Sequence, residues 1–87
     1  MRVVQPGSFK RDIKKLKKRG KDLNKLKALV DLLVAGEVLP DRCVDHALSG
    51  NWSGWHDCHI EPDWILIYKV APDILTLGRT GSHSDLF

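Results

Sequence analysis

All four histidines of the chain, His46, His56, His59 and His83, fall in its second half, interleaved with Asp57, Asp63 and Arg79. If Trp55–Ile60 is a strand, period-two alternation puts His56 and Cys58 on one face and Asp57 and His59 on the other. The Glu61-Pro62-Asp63 turn then holds Asp63 close to the end of that strand. Arg79 lies near the end of a later strand, and His83 follows four residues on. Such groups suit RNA cleavage by internal transesterification. One takes the proton of a ribose 2′-hydroxyl, another protonates the departing 5′-oxygen, and a cation steadies the phosphate oxygens. Histidine serves either proton task near neutrality. An aromatic ring beside the site, Trp64 or Phe87, can stack on an unpaired base.

Each residue also has a plainer structural role. His46, read as a loop residue, makes an ordinary surface hydrogen-bonding group, and Asp63 beside Pro62 is a turn former. Arg79 suits the surface of an edge strand, while Trp52 and Trp55 read as packing anchors. A metal site is not expected. His56-Asp57-Cys58-His59 offers ligand types, and Cys43 and His46 stand three apart. Structural zinc sites use two compact ligand pairs, however, and a strand turns His56 and His59 to opposite faces. No cofactor is expected either. Cys43 and Cys58 make a poor disulfide framework and read as free thiols of a reducing compartment.

The elements that must position these residues follow from periodicity. Arg2–Gln5 is a short strand stopped by Pro6-Gly7. Ser8 stands where an N-cap belongs, and Phe9, Ile13 and Leu16 follow at helical spacing up to Gly20. A second helix runs from Asp22 to Ala35 on the stripe Leu23, Leu26, Leu29, Val30 and Leu33, closed by Gly36. Both stripes are core, and the two helices form a hairpin. Residues 38–54 read as loop. Strands Trp55–Ile60, Trp64–Val70 and Ile74–Thr80 follow, joined by Glu61-Pro62-Asp63 and Pro72-Asp73. The expectation is one α+β domain over residues 1–87, ordered β-α-α-β-β-β. The helical hairpin packs on one face of a mainly antiparallel sheet, leaving the other to water or a ligand.

At 87 residues and 43% hydrophobic, 29% charged composition, the chain suits a small globular domain with little room for a buried cofactor. It has no run long enough for a membrane helix and no secretory leader pattern, so a cytoplasmic protein is expected. The net charge of +3 is unevenly distributed. Residues 1–27 carry eleven Lys/Arg against two Asp, or +9, and residues 28–87 carry three against nine, or −6. A first third this basic points to a polyanion or an acidic partner.

Taken together, three stretches carry a family likeness. They are Asp45-His46 ahead of Leu48-Ser49-Gly50, the hairpin Gly54 to Trp64 with its core His59-Ile60-Glu61-Pro62-Asp63-Trp64, and the closing Arg79-Thr80-Gly81-Ser82-His83 with Leu86-Phe87. With the basic helix and Asn24-Lys25-Leu26, the chain resembles the YafQ branch of the RelE-type toxins over essentially its whole length. The resemblance implies a β-α-α-β-β-β fold, messenger RNA cleavage in the ribosomal A site, and inhibition by a cognate antitoxin. Operator DNA would be met only through the antitoxin complex. It implies catalytic roles for His46, His59, Asp63 and His83, with Arg79 as the phosphate-stabilising cation. Trp64 and Phe87 match positions of substrate contact or site shaping, and Asp57 matches a family acid grouped with these substrate-binding positions, with structural support as its alternative role. The basic first helix suits ribosomal RNA. Relatives commonly carry arginine where this chain has His56, which removes a permanent charge there. Two other activities compete: non-catalytic inhibition of DNA gyrase in the manner of ParE toxins, and a protein that only binds its antitoxin. The histidine–acid set argues against both.

Overall fold

The computed structural model describes residues 1–87. Five strands, β1 (Arg2–Val4), β2 (His46–Ala47), β3 (His56–Glu61), β4 (Trp64–Ala71) and β5 (Ile74–Gly81), form one sheet in the order β1-β5-β4-β3-β2. Helices α1 (Gly7–Lys18) and α2 (Leu23–Ala35) precede β2, and α3 (His83–Leu86) ends the chain. β1 runs parallel to β5, while the other pairings are antiparallel. The α+β class and helical hairpin agree with expectation; β2 and α3 are additions to the expected order.

The ends of α2 follow local chemistry. Asp22 caps it by accepting from the Asn24 N–H, and Gly36 closes it at φ 70°, a conformation open to glycine. α1 starts differently from the expectation. Pro6 is its N-cap, and Ser8 lies inside the helix with its hydroxyl donating to the Gly78 carbonyl over 3.3 Å. The reason is tertiary. β1 pairs with β5 only as far as Thr76, and α1 takes over the edge beyond it. There Asp12 accepts the Thr80 N–H at 3.1 Å. Without these side chains the buried edge would leave backbone groups unpaired.

Phe9 and Leu16 of α1 and Leu26 and Leu29 of α2 meet Cys58, Ile60, Trp64, Leu66, Tyr68, Leu75 and Leu77 in one core. Each such large apolar side chain contributes about 1.5–3 kcal/mol on burial. This packing assigns the faces. On β3 and β4 the alternate residues Asp57, His59, Ile65 and Ile67 point away from the helices, in cross-strand pairs Asp57–Ile67 and His59–Ile65. The segment expected to be loop holds two short 3₁₀ turns, Asp41–Cys43 and Gly50–Trp52, around β2. β2 pairs His46 with Asp57. Trp55 packs as anticipated: a Cβ on Gly78 would sit 2.5 Å from its ring, so only glycine admits it there.

Candidate active site

Register places His46, Asp57, Ile67 and Arg79 in one row across β2, β3, β4 and β5, on the face away from the helices. His59, Ile65 and Gly81 form the neighbouring row, and α3 begins just past it. Adjacent strands lie about 4.8 Å apart, so His46 and Arg79 are separated by about 14 Å across the row. The sheet thus gathers groups from four separate stretches of chain onto one surface.

Three imidazoles are held through Nδ1. His46 Nδ1 lies 2.9 Å from the Val44 carbonyl and 3.0 Å from Asp57 Oδ1. Its N–H is directed at the carbonyl, leaving buried Asp57 Oδ1 a close electrostatic neighbour with no hydrogen bond. His59 Nδ1 donates to the Cys43 carbonyl at 3.3 Å. His83 Nδ1 meets Asp63 Oδ1 at 2.9 Å, and the same oxygen accepts the His83 backbone N–H at 3.1 Å. These two hydrogen bonds from His83 hold the Asp63 carboxyl below its ordinary range. With Nδ1 carrying the proton, Nε2 of each neutral ring bears the lone pair. The His59 and His83 rings stand 5.6 Å apart, and the exposed ring of Phe87 lies 6.5 Å from His83.

His83 owes its place to α3, a single turn with a reciprocal cap. Ser82 Oγ accepts the Asp85 N–H, and Asp85 Oδ2 accepts the Ser82 N–H. Asp85 is further gripped by Arg19 through two bonds of 2.7 and 3.1 Å, and by Lys15 at 3.4 Å. The Arg19 guanidinium, with the Ser82 amide, holds the Asp85 carboxyl far below the usual carboxylate range. Part of the basic helix therefore anchors the turn that carries a site histidine.

Arg79 donates from Nε and Nη2 to the two Asp12 oxygens, at 2.7 and 3.1 Å. That fork–fork pair fixes the guanidinium plane and leaves Nη1 without an intramolecular partner.

The family model for YafQ, the bacterial toxin of type II toxin–antitoxin systems, matches residues 1–87. The chain belongs to the YafQ toxin family. The mRNA interferase toxin YafQ of Escherichia coli strain K12 is 49% identical over 86 residues, covering 98% of this chain and 94% of that protein. The Escherichia coli DinJ–YafQ toxin–antitoxin complex superimposes with TM-score 0.91 at 46% identity, over 98% of this chain and 94% of that one. A copper-bound L66S mutant toxin from Helicobacter pylori gives TM-score 0.95 at 40% identity, over 100% and 99% of the two chains. In this chain no three His, Cys, Asp or Glu side chains converge as a ligand set.

Of the site residues expected from sequence, the YafQ fold brings His59, Asp63, His83 and Phe87 into one group. His46 and Asp57 form a second group, with Asp57 buried beneath His46 rather than open to a substrate. Arg79 shares their row at its far end. Trp64 is a correction. It is fully buried on the helix side, its Nε1 donating to Thr80 Oγ1 at 2.9 Å, and it cannot reach a ligand. A strand apolar on both faces hides which face each residue takes. His56 also lies on the helix side, its ring stacked 5.7 Å from Tyr68 and 3.6 Å from Asp45. The two thiols are free and buried, and burial pushes Cys58 up to about 12, which leaves it protonated.

Sequence reasoning missed Asp12 and Asp85. Asp12 did leave a signal: it is the only acid in α1, and it falls on the Phe9, Ile13 and Leu16 stripe, where a charge needs a partner. Asp85 left the capping pattern Ser82-x-x-Asp85.

Proposed function

We propose that this chain is the mRNA interferase toxin of a toxin–antitoxin pair, cutting message on the ribosome by attack of a ribose 2′-hydroxyl on the adjacent phosphorus. The observation that carries the proposal is the pairing of His59 and His83, two imidazoles 5.6 Å apart. Each is tied back through Nδ1, which leaves Nε2 for proton transfer. His59 is backed by a neutral carbonyl and His83 by a carboxylate.

That difference favours one division of roles. His59 Nε2 takes the 2′-hydroxyl proton as the new 2′-oxygen–phosphorus bond forms. The Asp63 carboxylate balances an imidazolium on His83, which gives its proton to the 5′-oxygen as the phosphorus–oxygen bond breaks. The products are a 2′,3′-cyclic phosphate and a 5′-hydroxyl. His46, poised over Asp57, is a third imidazole on the same face and positions the phosphate by hydrogen bonding. Arg79, held by Asp12, offers Nη1 to the phosphate oxygens. Phe87 stacks on a base beside His83. The protein's own groups complete every proton step, and no step runs through a metal.

The unpaired cations of α1 are exposed and suit ribosomal RNA. The antitoxin is the protein partner, and operator DNA is reached only through the antitoxin complex.

Primer extension on a translated message, with wild type and His83→Ala in parallel, tests the proposal. The expected result is new 5′ ends within codons for the wild type alone, unchanged by a transition-metal chelator that spares magnesium. Intact message on stalled ribosomes at an inhibitory concentration of wild type would sink it.

A further inference from the structure

Residues 28–87 contain three cations, Arg42, Lys69 and Arg79. The Lys69 ammonium lies 5.9 Å over the Trp55 ring, and Arg79 is committed to Asp12. Arg42, exposed on the Asp41–Cys43 turn, has neither an ion-pair nor a hydrogen-bond partner. It opens onto a pocket of about 430 Å³ that it shares with Val44, His59, Ile60, Glu61 and Pro62. That volume falls within the range of small-ligand pockets.

The sign of the field there is set by Glu61, the only carboxylate in the lining. Its two oxygens are taken by Lys21 at 2.9 Å and Lys25 at 2.8 Å, so its charge is offset. Lys25 and Arg42 also line the groove next to the pocket. The pocket is therefore positive, and His59 is its common wall with the His83 group.

We propose that the pocket between the Asp41–Cys43 turn and the end of β3 is a phosphate subsite for single-stranded RNA, with the Arg42 guanidinium holding the phosphate that neighbours the scissile one. The assignment rests on the nuclease function proposed above. It also answers a shortage at the site, where the Arg79 guanidinium spends its Nε/Nη2 edge on Asp12. Arginine suits the task because its planar fork matches phosphate oxygens.

The test uses ribosomes programmed with message, with cleavage measured at single turnover against toxin concentration and salt. Arg42→Ala raises the half-saturating concentration about tenfold, the size of one lost charge-assisted contact, and leaves the saturating rate within about twofold. The log–log salt slope falls by about 0.7, the value for one phosphate contact on a single strand. Arg42→Lys retains the slope and recovers part of the affinity. Far-UV circular dichroism checks that each variant folds, as expected for an exposed side chain.

If wild type cleaves and Arg42→Ala shows the same half-saturation and slope, the subsite is overturned while the nuclease function stands. If the substitution weakens only binding of the antitoxin, the pocket takes an acidic protein side chain and the RNA assignment is wrong. Wild type without cleavage removes both.

Discussion

Asp85→Asn is the sharpest probe of how α1 supports the site. The substitution retains size and removes one charge from a carboxylate that is 13% exposed. Lost with it are the charged bonds to Arg19 at 2.7 and 3.1 Å and to Lys15 at 3.4 Å, while the Ser82 N–H retains an oxygen acceptor. A hydrogen bond to a charged group contributes about 1.5–3 kcal/mol when well buried. The partners here are 41% and 57% exposed, and exposed pairs are screened towards 0–1 kcal/mol, so a loss of about 1–2 kcal/mol is expected. For a domain of this size that lowers Tm by about 5–15 °C. The sign with pH follows from the depressed Asp85 carboxyl. Its stabilisation is complete above the unfolded value near 3.9 and disappears as pH falls through the folded value. The Tm gap between wild type and variant is therefore constant above about pH 5 and narrows as pH falls below about 4. Cleavage falls by about tenfold or more, because α3 no longer fixes His83. Thermal melts from pH 3 to 7 and single-turnover cleavage measure these effects. A Tm change under about 2 °C, or a gap that widens on acidification, would refute the reasoning.

Trp64→Phe loses the bond to Thr80 and leaves a small cavity, costing about 1.5–3 kcal/mol in urea unfolding. Its folded fraction should cleave within about threefold of wild type; a hundredfold loss with unchanged stability would return Trp64 to the substrate. Val44 occupies φ 47°, a conformation costly for a β-branched side chain, and its carbonyl holds His46. Val44→Asn, exposed at the same position, gains about 1 kcal/mol in the same assay, whereas a loss would mean that Val44 carries packing absent from this structure. Under chemistry-limited conditions the cleavage rate passes through a maximum near neutrality, since acid and base must differ in protonation. A flat profile from about pH 5 to 9 would count against histidine catalysis.

Much of the architecture was legible in local pattern. The stripes of α1 and α2 sit in the core as their spacing requires, Gly36 closes α2 at φ 70°, and the Glu61-to-Trp64 turn makes the hairpin. Alternation alone set His59 apart from His56, because side chains on a strand have a fixed period of two. β2 was not legible: two residues carry no period, and His46-Ala47 is a strand only because β3 is beside it.

The tertiary structure decided the rest. Arg79 and Asp12 lie 67 residues apart, and Arg19 and Asp85 lie 66 apart. Which acid meets which cation depends on β1 running parallel to β5 and on where their pairing ends, and no local pattern encodes that register. The same holds for the site. Sequence supplied the residue types and the order that marks a YafQ toxin, since these are properties of the chain itself. Strand order and sheet face placed His59 against His83, put Trp64 in the core and left Arg42 unpaired, because those outcomes depend on contacts between segments far apart in the chain.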